Sequence, residues 1–362
     1  MICHCQFLEP AFWHDESCFV MHNTQLADAN FLSLEQWVRA QSVLKNHVLF
    51  QSSGSSCAAK WVALSKSALL ASARVVNQTL GIETGARWGL ALPIHHVGGF
   101  GVLVRSFLSG GHCQVFHQKW APVAFTRFVY ENSCECISLV PTQVVDLIES
   151  RCVAPCCVKH VVVGGGSLSD AHYAKAKALG WPVLRSYGMT EAASQVATGD
   201  TGDGFLSILD GWETRVHTSG VLEWRGEAGF SGYVIEEEGE FSFVDPKVDG
   251  WFTTQDLVEL EGDGIRVLGR ADSLVKVLGE LVDITSIEQR IEQQTLCSAI
   301  VLTVADERRG VLLIPVIESA KPIDLSGFRG VETLQTIHLQ PKFPRSSLGK
   351  IQRASIRAQL EL

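Results

Sequence analysis

Ten residues in the first part of the chain combine hydroxyls, a glycine and a lysine in a pattern that could hold phosphate. The segment reads Gln51-Ser-Ser-Gly-Ser-Ser-Cys-Ala-Ala-Lys60 and follows a short apolar run. Hydroxyls and backbone N–H groups bind phosphate oxygens, and lysine supplies positive charge. The Gly-Lys-Ser/Thr ending of a Walker A loop is absent. Taken alone, the pattern favours an ordinary polar surface loop over a phosphate site.

Four later segments carry groups of the kind that bind a nucleotide. Arg185-Ser-Tyr-Gly-Met-Thr-Glu191 contains an aromatic ring, a hydroxyl and a carboxylate, which could stack on a base, bond a phosphate and hold Mg²⁺. Gly250-Trp-Phe-Thr-Thr-Gln-Asp256 ends in a carboxylate able to bond ribose hydroxyls. The other two are Gly269-Arg-Ala-Asp272, a cation in a small-residue turn, and Pro344-Arg-Ser-Ser-Leu-Gly-Lys-Ile-Gln-Arg353, which places Lys350 after a glycine.

The elements between these segments alternate between strand and helix. Apolar periodicity predicts strands at His47–Phe50, Trp88–Leu92, Cys136–Val140, His160–Val163 and Val183–Arg185. It predicts helices at Leu34–Leu44, Lys66–Leu80, from the turn at Gly98 to Leu108, and at Thr142–Ser150 and Ser169–Leu179. Residues 1–32 show no clear period and are expected to be irregular. Such alternation is typical of a mostly parallel sheet covered on both faces, whose ligand loops lie beyond the carboxyl ends of the strands.

The pattern changes twice in the second half of the chain. After about residue 199, short runs separated by Gly and Asp predict antiparallel strands at Val221–Arg225, Gly239–Val244, Gly250–Thr254 and Ile265–Leu268. Further on, the sequence predicts a helix at Ile284–Gln294, strands at Ser298–Val304 and Gly310–Ile317, and a helix at Ser355–Leu360. We therefore expect an α/β protein with a large N-terminal domain of mostly parallel sheets, a β-rich subdomain and a small α+β C-terminal domain.

Composition limits the classes of partner. The chain has 362 residues, of which 46% are hydrophobic and 19% charged, and its net charge is −9. This suits a globular protein with one large and one smaller domain. The negative charge argues against nucleic acid and against an anionic membrane surface as partners. No apolar run approaches the roughly 18 residues that span a bilayer, and Met1–Trp13 carries no Lys or Arg, so neither membrane insertion nor a signal peptide is expected.

The eleven cysteines favour a reducing, cytoplasmic location. Their odd count and irregular spacing are unlike a disulfide framework. A zinc site is conceivable near the N-terminus, from Cys3, His4, Cys5, His14, Cys18 and His22. Structural zinc sites pair cysteines two to four residues apart and then repeat the pair, and no second matched pair is present. Thiols and histidines scattered in a terminal segment are therefore favoured over zinc.

From about Phe50 to Arg357 the sequence resembles the acyl-adenylate-forming superfamily of acyl-CoA synthetases, luciferases and peptide-synthetase adenylation domains. The five segments described above occur in that family's order and at similar separations. Within the superfamily the greatest similarity is to o-succinylbenzoate–CoA ligases of menaquinone biosynthesis, and it is carried by Leu92-Pro-Ile-His-His-Val-Gly-Gly-Phe100, Ser138-Leu-Val-Pro-Thr-Gln143 and Tyr187-Gly-Met-Thr-Glu-Ala-Ala-Ser-Gln195. The resemblance implies ATP, Mg²⁺ and CoA as cofactor and co-substrates, and a small carboxylic acid as substrate. It leaves the oligomeric state open.

The resemblance also implies which residues bind the nucleotide. The β- and γ-phosphates would contact the loop residues Ser52, Ser53, Gly54, Ser55, Ser56 and Lys60. Thr190 would bond phosphate and Glu191 would coordinate Mg²⁺. Adenine would be framed by Gly164, Gly165, Gly166, Tyr187 and Gly188, and ribose would be held by Asp256 with the help of Arg270.

The remaining implied roles concern the acid, the chemistry and a domain movement. His96 would line the acid pocket, with Ser138 as a second candidate, and Lys350 would stabilise negative charge during adenylation. Residues 1–268 would form the adenylate-forming core, residues 269–272 a hinge that contains Asp272, and residues 273–362 a mobile lid. Rotation at the hinge would withdraw Lys350 and open a path for the CoA thiol.

Several of these residues also have simpler explanations. His96 could be a hydrogen-bonded core histidine, the Gly164–Gly166 run could let a helix approach the sheet, and Lys350 could be solvated. Relatives usually carry Gly at the position of Cys57, Pro at that of Ala59 and Gly-Asp where Gln255-Asp256 stands. About fifty residues precede the phosphate loop, against well over a hundred in relatives, which predicts a reduced N-terminal subdomain. Two alternatives therefore stay open: an adenylate-forming enzyme with another acid or acceptor, and a catalytically silent homologue.

Overall fold

The computed structural model describes residues 4–22, 29–51, 59–199, 204–346, 349 and 351–362. Its α-helices are α1 (Pro10–His14), α2 (Ala29–Ala40), α3 (Lys66–Thr79), α4 (Val97–Leu108), α5 (Pro122–Glu131), α6 (Pro141–Glu149), α7 (Asp170–Ala178), α8 (Ile284–Thr295) and α9 (Arg353–Gln359). Short 3-10 helices lie at His4–Leu8, Ser42–Leu44, Thr190–Ala192, Ala271–Ser273 and Gly330–Glu332. Among the described residues, every helix is too short or too polar to cross a membrane.

The strands of the described residues follow one another along the chain. They are β1 (Phe19–Met21), β2 (His47–Gln51), β3 (Ala59–Ser65), β4 (Arg87–Leu90), β5 (His112–Val115), β6 (Cys136–Leu139), β7 (His160–Val163), β8 (Val183–Tyr187), β9 (Ala197–Gly199), β10 (Leu206–Ile208), β11 (Trp212–Val216), β12 (Val221–Gly226), β13 (Gly232–Glu237), β14 (Glu240–Val244), β15 (Phe252–Glu261), β16 (Gly264–Arg270), β17 (Leu274–Val277), β18 (Glu280–Asp283), β19 (Ala299–Asp306), β20 (Gly310–Glu318) and β21 (His338–Gln340).

The chain divides into two compact units. The first contains residues 1–214, 224–252 and 260–266, and the second contains residues 215–223, 253–259 and 267–362. The predicted hinge at 269–272 therefore falls within the sequence of the second unit. Its role in a movement stays a prediction.

A parallel sheet forms the centre of the first unit. Strands β5, β4, β6, β7 and β8 lie side by side in that order and all run parallel. β9 and β10 continue the sheet in the antiparallel sense. Phe125 of α5, Leu147 of α6 and Ala176 of α7 are buried in one core with Val161 and Val183 of the sheet. The α/β prediction is thus confirmed: β6 and the apolar part of β7 are buried because helices pack against the sheet.

A second sheet in the first unit has the order β1-β2-β3-β13-β14. Only the β1–β2 pair is parallel among its described pairings. β3 was missed in the sequence, because Trp61 to Leu64 are buried on both faces and show no alternation. Ser65 ends β3 and caps α3, since its hydroxyl accepts a hydrogen bond from Ala68 N at 3.0 Å.

The expectation of an irregular lead-in over residues 1–32 is wrong for the described part. Residues 4–22 form a 3-10 helix, α1 and β1. Phe7 and Trp13 are buried there, and both rings lie within 6.3 Å of the Phe100 ring of α4. The buried Lys66 ammonium donates hydrogen bonds to the carbonyls of Phe12 and Asp15. This segment is held in place by contacts with distant parts of the chain, and such contacts leave no short-range period in the sequence.

The helix predicted at Leu34–Leu44 is displaced. α2 starts and ends earlier, at Ala29–Ala40, and a 3-10 turn at Ser42–Leu44 follows it. Leu34 and Val38 of α2 are buried with Leu49 of β2. A helix was therefore predicted correctly in this region, and its boundaries were not.

The second unit contains the predicted small α+β arrangement. β19, β20 and β21 form a sheet. Ala299 and Val301 face one core with Ile287 and Ile291 of α8. Alternate residues of β19 and β20 face another core, which holds Ile356 of α9. Because both faces of this sheet are covered, the sequences of β19 and β20 are apolar over most of their length.

Candidate functional site

Two neighbouring parallel strands bring together seven of the residues implied for the nucleotide. β7 and β8 are adjacent and in register, with Val163 opposite Arg185. The Gly164–Gly166 run follows β7, and the segment from Gly188 to Glu191 follows Tyr187 at the end of β8. The carboxyl ends of adjacent parallel strands meet at one sheet edge, where ligands of open α/β sheets bind.

The glycines at this edge allow close approach of neighbouring chain segments. A Cβ at Gly164 would lie 2.8 Å from Ser186 Oγ, and Gly165 has a φ of +80°. A Cβ at Gly188 would lie 1.7 Å from Ser194 O. A side chain at Gly188 is therefore incompatible with this loop.

The 3-10 turn at Thr190–Ala192 ends in strained backbone. Ala193 has a φ of 49° and Ser194 a φ of 127°, values that non-glycine residues rarely adopt. The Ser72 hydroxyl holds the Ala193 carbonyl at 3.2 Å. Consecutive strained residues persist only where the surroundings impose them, and they occur most often at functional sites.

Glu191 is held at both its backbone and its side chain. Its carbonyl accepts a hydrogen bond from Phe230 N at 2.8 Å. Its Oε1 accepts a hydrogen bond from the Tyr233 hydroxyl at 3.0 Å. Burial, followed by the negative charge of Glu191, raises the pKa of Tyr233, so the hydroxyl stays a proton donor at all ordinary pH values.

Lys60 lies beside the same tyrosine. Its Nζ is 3.3 Å from the centre of the Tyr233 ring. Burial lowers the pKa of Lys60, and the charge of Glu191 acts in the opposite direction. A cation that would bind phosphate and a carboxylate that would bind a metal are thus close together. The other predicted members of the loop, Ser52, Ser53, Gly54, Ser55 and Ser56, lie outside the described residues.

This arrangement suits Mg²⁺ bound together with a nucleotide. Mg²⁺ keeps several waters and is usually held by one or two carboxylates plus substrate phosphates. Glu191 supplies one carboxylate with an oxygen beyond the one that Tyr233 engages. The described residues contain no group of three or more His, Cys, Asp or Glu side chains suited to holding a metal ion.

The two residues implied for the acid lie on adjacent elements. Ser138 is in β6, opposite Leu90 of β4, and its buried hydroxyl has no hydrogen-bond partner among the described residues. His96 immediately precedes α4, on the connection that leaves β4. The ring of His96 lies 4.4 Å from that of His95, whose pKa is lowered by burial and then by the nearby His22.

Arg105 was missed by the sequence analysis. It lies in α4, which is otherwise apolar or small, and is 2% exposed. Its Nε donates to Gly101 O at 2.8 Å, and its guanidinium lies 5.7 Å from the Trp88 ring. Its Nη1 is buried without a hydrogen-bond partner among the described residues, and burial lowers its pKa to about 10. A charged residue inside an apolar helix was the signal that could have revealed it.

Three predicted residues meet in the second unit. Arg270 Nη1 donates to Asp256 Oδ1 at 3.1 Å. Its Nε and Nη2 donate to the two carboxylate oxygens of Asp272 at 2.9 and 2.8 Å. These hydrogen bonds lower the pKa of Asp272. Arg270 therefore bridges Asp256, which is expected to bind ribose, and Asp272, which is expected to lie at the hinge.

Lys350 lies outside the described residues. On either side of it, Arg345 and Ile351 form an antiparallel bridge. Gly349 has a φ of +73°, and its N–H donates to Ser346 O at 2.8 Å. Arg345 also pairs with Glu318 and donates to Ser298 Oγ at 3.2 Å. The base of this loop is thus fixed to the sheet of the second unit.

The sequence profile of AMP-binding enzymes matches residues 28–225. This is more than half of the 362 residues, and the chain belongs to the AMP-binding enzyme family. The resemblance drawn from the sequence motifs is thereby confirmed.

Individual relatives agree with this family. A 2-succinylbenzoate–CoA ligase of Listeria monocytogenes serotype 4b (strain F2365) is 28% identical over 304 residues, which are 79% of this chain and 63% of the relative. The structure of o-succinylbenzoate CoA synthetase from Bacillus subtilis with its acyl-adenylate intermediate has a TM-score of 0.74 at 22% identity, covering 86% of this chain and 68% of that one. ATP-bound MatB from Rhodopseudomonas palustris has a TM-score of 0.74 at 22% identity, covering 87% and 68%. The solved structures share the fold, and the chain spans 63% of the length of the curated relatives.

Proposed function

We propose that this chain is an ATP-dependent acid–CoA ligase that converts 2-succinylbenzoate to 2-succinylbenzoyl-CoA through an acyl-adenylate. The observation that carries the proposal is the contact of Tyr233 of β13 with both Lys60 of β3 and Glu191, which lies in the loop that follows β8. Activation by Mg·ATP requires a cation for the phosphates close to a carboxylate for the metal ion. The choice of 2-succinylbenzoate as the acid follows from the relatives, which are 2-succinylbenzoate–CoA ligases.

The reaction has two steps. A carboxylate oxygen of the acid attacks the α-phosphorus of ATP, and the bond from that phosphorus to the bridging oxygen breaks, so that pyrophosphate leaves. The CoA thiolate then attacks the acyl carbon and its bond to the AMP oxygen breaks. Mg²⁺ bound with the nucleotide would neutralise phosphate charge, and Glu191 would hold it. Lys60 would bind the β- and γ-phosphates, and Lys350 would stabilise charge on the α-phosphate.

The base and sugar of the nucleotide would be bound by other predicted residues. Gly164 to Gly166, Tyr187 and Gly188 would frame the adenine, and Thr190 would bond phosphate. Asp256 would hold the ribose hydroxyls, with Arg270 orienting its carboxylate through the 3.1 Å hydrogen bond. A rotation at residues 269–272, between a core at 1–268 and a lid at 273–362, would separate the two steps.

The acid would lie against α4 and the ends of β4 and β6, where His96 and Ser138 are found. 2-Succinylbenzoate carries two carboxylates, and only one is activated. The second needs a cation, and Arg105 is a buried cation whose Nη1 has no hydrogen-bond partner among the described residues. Because an uncompensated buried charge is costly, we infer that Arg105 binds this carboxylate. We also propose a reducing, cytoplasmic setting, since no disulfide joins the described cysteines.

Acid-dependent ATP–pyrophosphate exchange tests the first step. Wild-type protein should exchange with 2-succinylbenzoate in preference to a panel of aryl and alkyl acids. The Glu191→Gln and Lys350→Ala variants should lose about a hundredfold or more of the exchange rate. Glu240→Gln removes an exposed carboxylate in β14 and serves as the control. Absence of exchange with every acid would favour a catalytically silent homologue.

Product analysis with and without CoA tests the acceptor. Formation of the thioester only when CoA is present supports the ligase, whereas adenylate that accumulates regardless of CoA points to another acceptor. Arg105→Met should raise the KM for 2-succinylbenzoate about thirtyfold and leave the KM for ATP unchanged. Equal effects on both KM values would contradict the role given to Arg105.

A further inference from the structure

We propose that Tyr233 is a positioning residue that holds the metal-binding carboxylate of Glu191 with its hydroxyl and the phosphate-binding ammonium of Lys60 with its ring. The inference rests on the proposed function and adds a residue to it. The two contacts are the 3.0 Å hydrogen bond from the Tyr233 hydroxyl to Glu191 Oε1 and the 3.3 Å distance from Lys60 Nζ to the ring centre.

The pairing of β3 and β13 determines the contact with Lys60. Tyr233 stands opposite Val62, and Lys60 opposite Ile235. Because side chains alternate between the faces of a strand, Lys60 and Tyr233 share a face as diagonal neighbours, which long side chains can bridge. A cation over the face of a tyrosine is attracted by the ring electrons, more strongly where water is partly excluded. Tyr233 is 7% exposed.

The contact between Tyr233 and Glu191 is fixed by hydrogen bonds around the start of β13. The segment that leads into β13 is fixed to the loop of Glu191 by the hydrogen bond from Phe230 N to Glu191 O. Lys247 donates to the carbonyls of Phe230 and Ser231 at 2.8 and 3.0 Å. The Ser231 hydroxyl lies 2.7 Å from His47 Nε2 of β2. Tyr233 therefore approaches the carboxylate from a backbone that is held on several sides.

This geometry gives the hydroxyl and the ring separate tasks. The hydroxyl engages Oε1 and leaves Oε2, so the carboxylate would already be oriented when Mg·ATP binds. The ring attracts the ammonium and carries no charge of its own, so this contact does not form an ion pair with Lys60.

Two substitutions separate these tasks. Tyr233→Phe removes the hydroxyl and keeps the ring, and it should raise the half-saturating Mg²⁺ concentration in ATP–pyrophosphate exchange about three- to tenfold. Its rate at saturating Mg²⁺ should stay within about twofold of wild type, since the chemical groups are intact. Tyr233→Leu removes both contacts, and it should raise the KM for ATP as well. Tyr130→Phe, at an exposed tyrosine of α5, is the matched control.

A double-mutant cycle with Glu191→Gln tests whether the hydroxyl acts through Glu191. Mg·ATP affinity measured by calorimetry does not depend on turnover and suits all four proteins of the cycle. Tyr233→Phe should weaken binding in the wild-type background and have no further effect once Glu191 is replaced. Equal effects in both backgrounds, or a Tyr233→Phe variant with unchanged Mg²⁺ dependence, would overturn the inference and leave the proposed function standing. A wild-type protein that neither binds Mg·ATP nor exchanges pyrophosphate would overturn both.

Discussion

Replacement of Arg353 by methionine measures how much a buried ion pair stabilises the second unit. Arg353, the first residue of α9, donates to both oxygens of Glu288 in α8, at 2.7 and 2.6 Å. Glu288 Oε1 also accepts a hydrogen bond from Val301 N at 2.6 Å. One carboxylate therefore joins α8, α9 and β19. Methionine keeps much of the apolar stem of arginine and removes the charge.

The magnitude follows from the burial of each partner. Removing one member of a fully buried pair costs about 3–5 kcal/mol, because the other charge is left unpaired. The Glu288 side chain is 9% exposed, but that of Arg353 is 49% exposed, so solvent screens part of the interaction. We therefore expect a loss of about 2 kcal/mol in the free energy of unfolding, intermediate between the buried value and the 0–1 kcal/mol of surface pairs.

The control is an ion pair of the same unit that has a single hydrogen bond and a more exposed carboxylate. Arg290 and Glu332 are 2.7 Å apart, and their side chains are 35% and 34% exposed. Arg290→Met should cost less than about 1 kcal/mol. Urea unfolding followed by circular dichroism gives both values, and a 2 kcal/mol loss corresponds to a midpoint shift of about 1 M when the slope is near 2 kcal/mol/M.

The reasoning is refuted if the two methionine variants differ by less than about 0.5 kcal/mol, since the Arg353 pair has the more buried carboxylate and two hydrogen bonds between its partners instead of one. The double variant Glu288→Gln with Arg353→Met supplies an independent check. It should recover part of the loss, because no charge is then left buried. A double variant less stable than the sum of the single effects would contradict this account.

Three further predictions concern other parts of the chain. Gly188→Ala should cost more than about 2 kcal/mol of stability in urea unfolding, because its Cβ would lie 1.7 Å from Ser194 O; Gly98→Ala, with 3.8 Å to its nearest neighbour, should be nearly neutral or stabilising. Leu296→Gly should raise stability by about 0.5–1 kcal/mol, because Leu296 caps α8 at a φ of 58° with an 87% exposed side chain; unchanged or lower stability would show that its side chain packs. Lys159 and Arg87 lower the pKa of Glu135 from its ordinary 4.5. The stability that Glu135 contributes is therefore complete above pH 4.5 and is lost as the pH falls through the lowered pKa. The difference in unfolding free energy between wild type and Glu135→Gln should shrink over that window, and a difference that grew on acidification would contradict the sign of this effect.

The strand–helix alternation and the order of the motifs could be recognised in the sequence because they depend on neighbours in the chain. β7 and β8 were predicted within two residues of their observed ends, and the following loops meet at one sheet edge, as parallel packing requires. β3 and the segment at residues 4–22 were not predicted. Both are stabilised by burial against distant parts of the chain, so neither shows a local period.

The sequence by itself determined the family, the fold class and the types of residue available to bind a nucleotide. Only the tertiary structure showed that Tyr233 joins Glu191, 42 residues away, to Lys60 on another strand. Only the tertiary structure showed that Arg105 is buried with an unpartnered Nη1 among the described residues. The physical reason is that register between strands and burial of a charge are set by contacts far apart in the chain. Motif spacing records which groups are present at a site, whereas packing decides which of them touch.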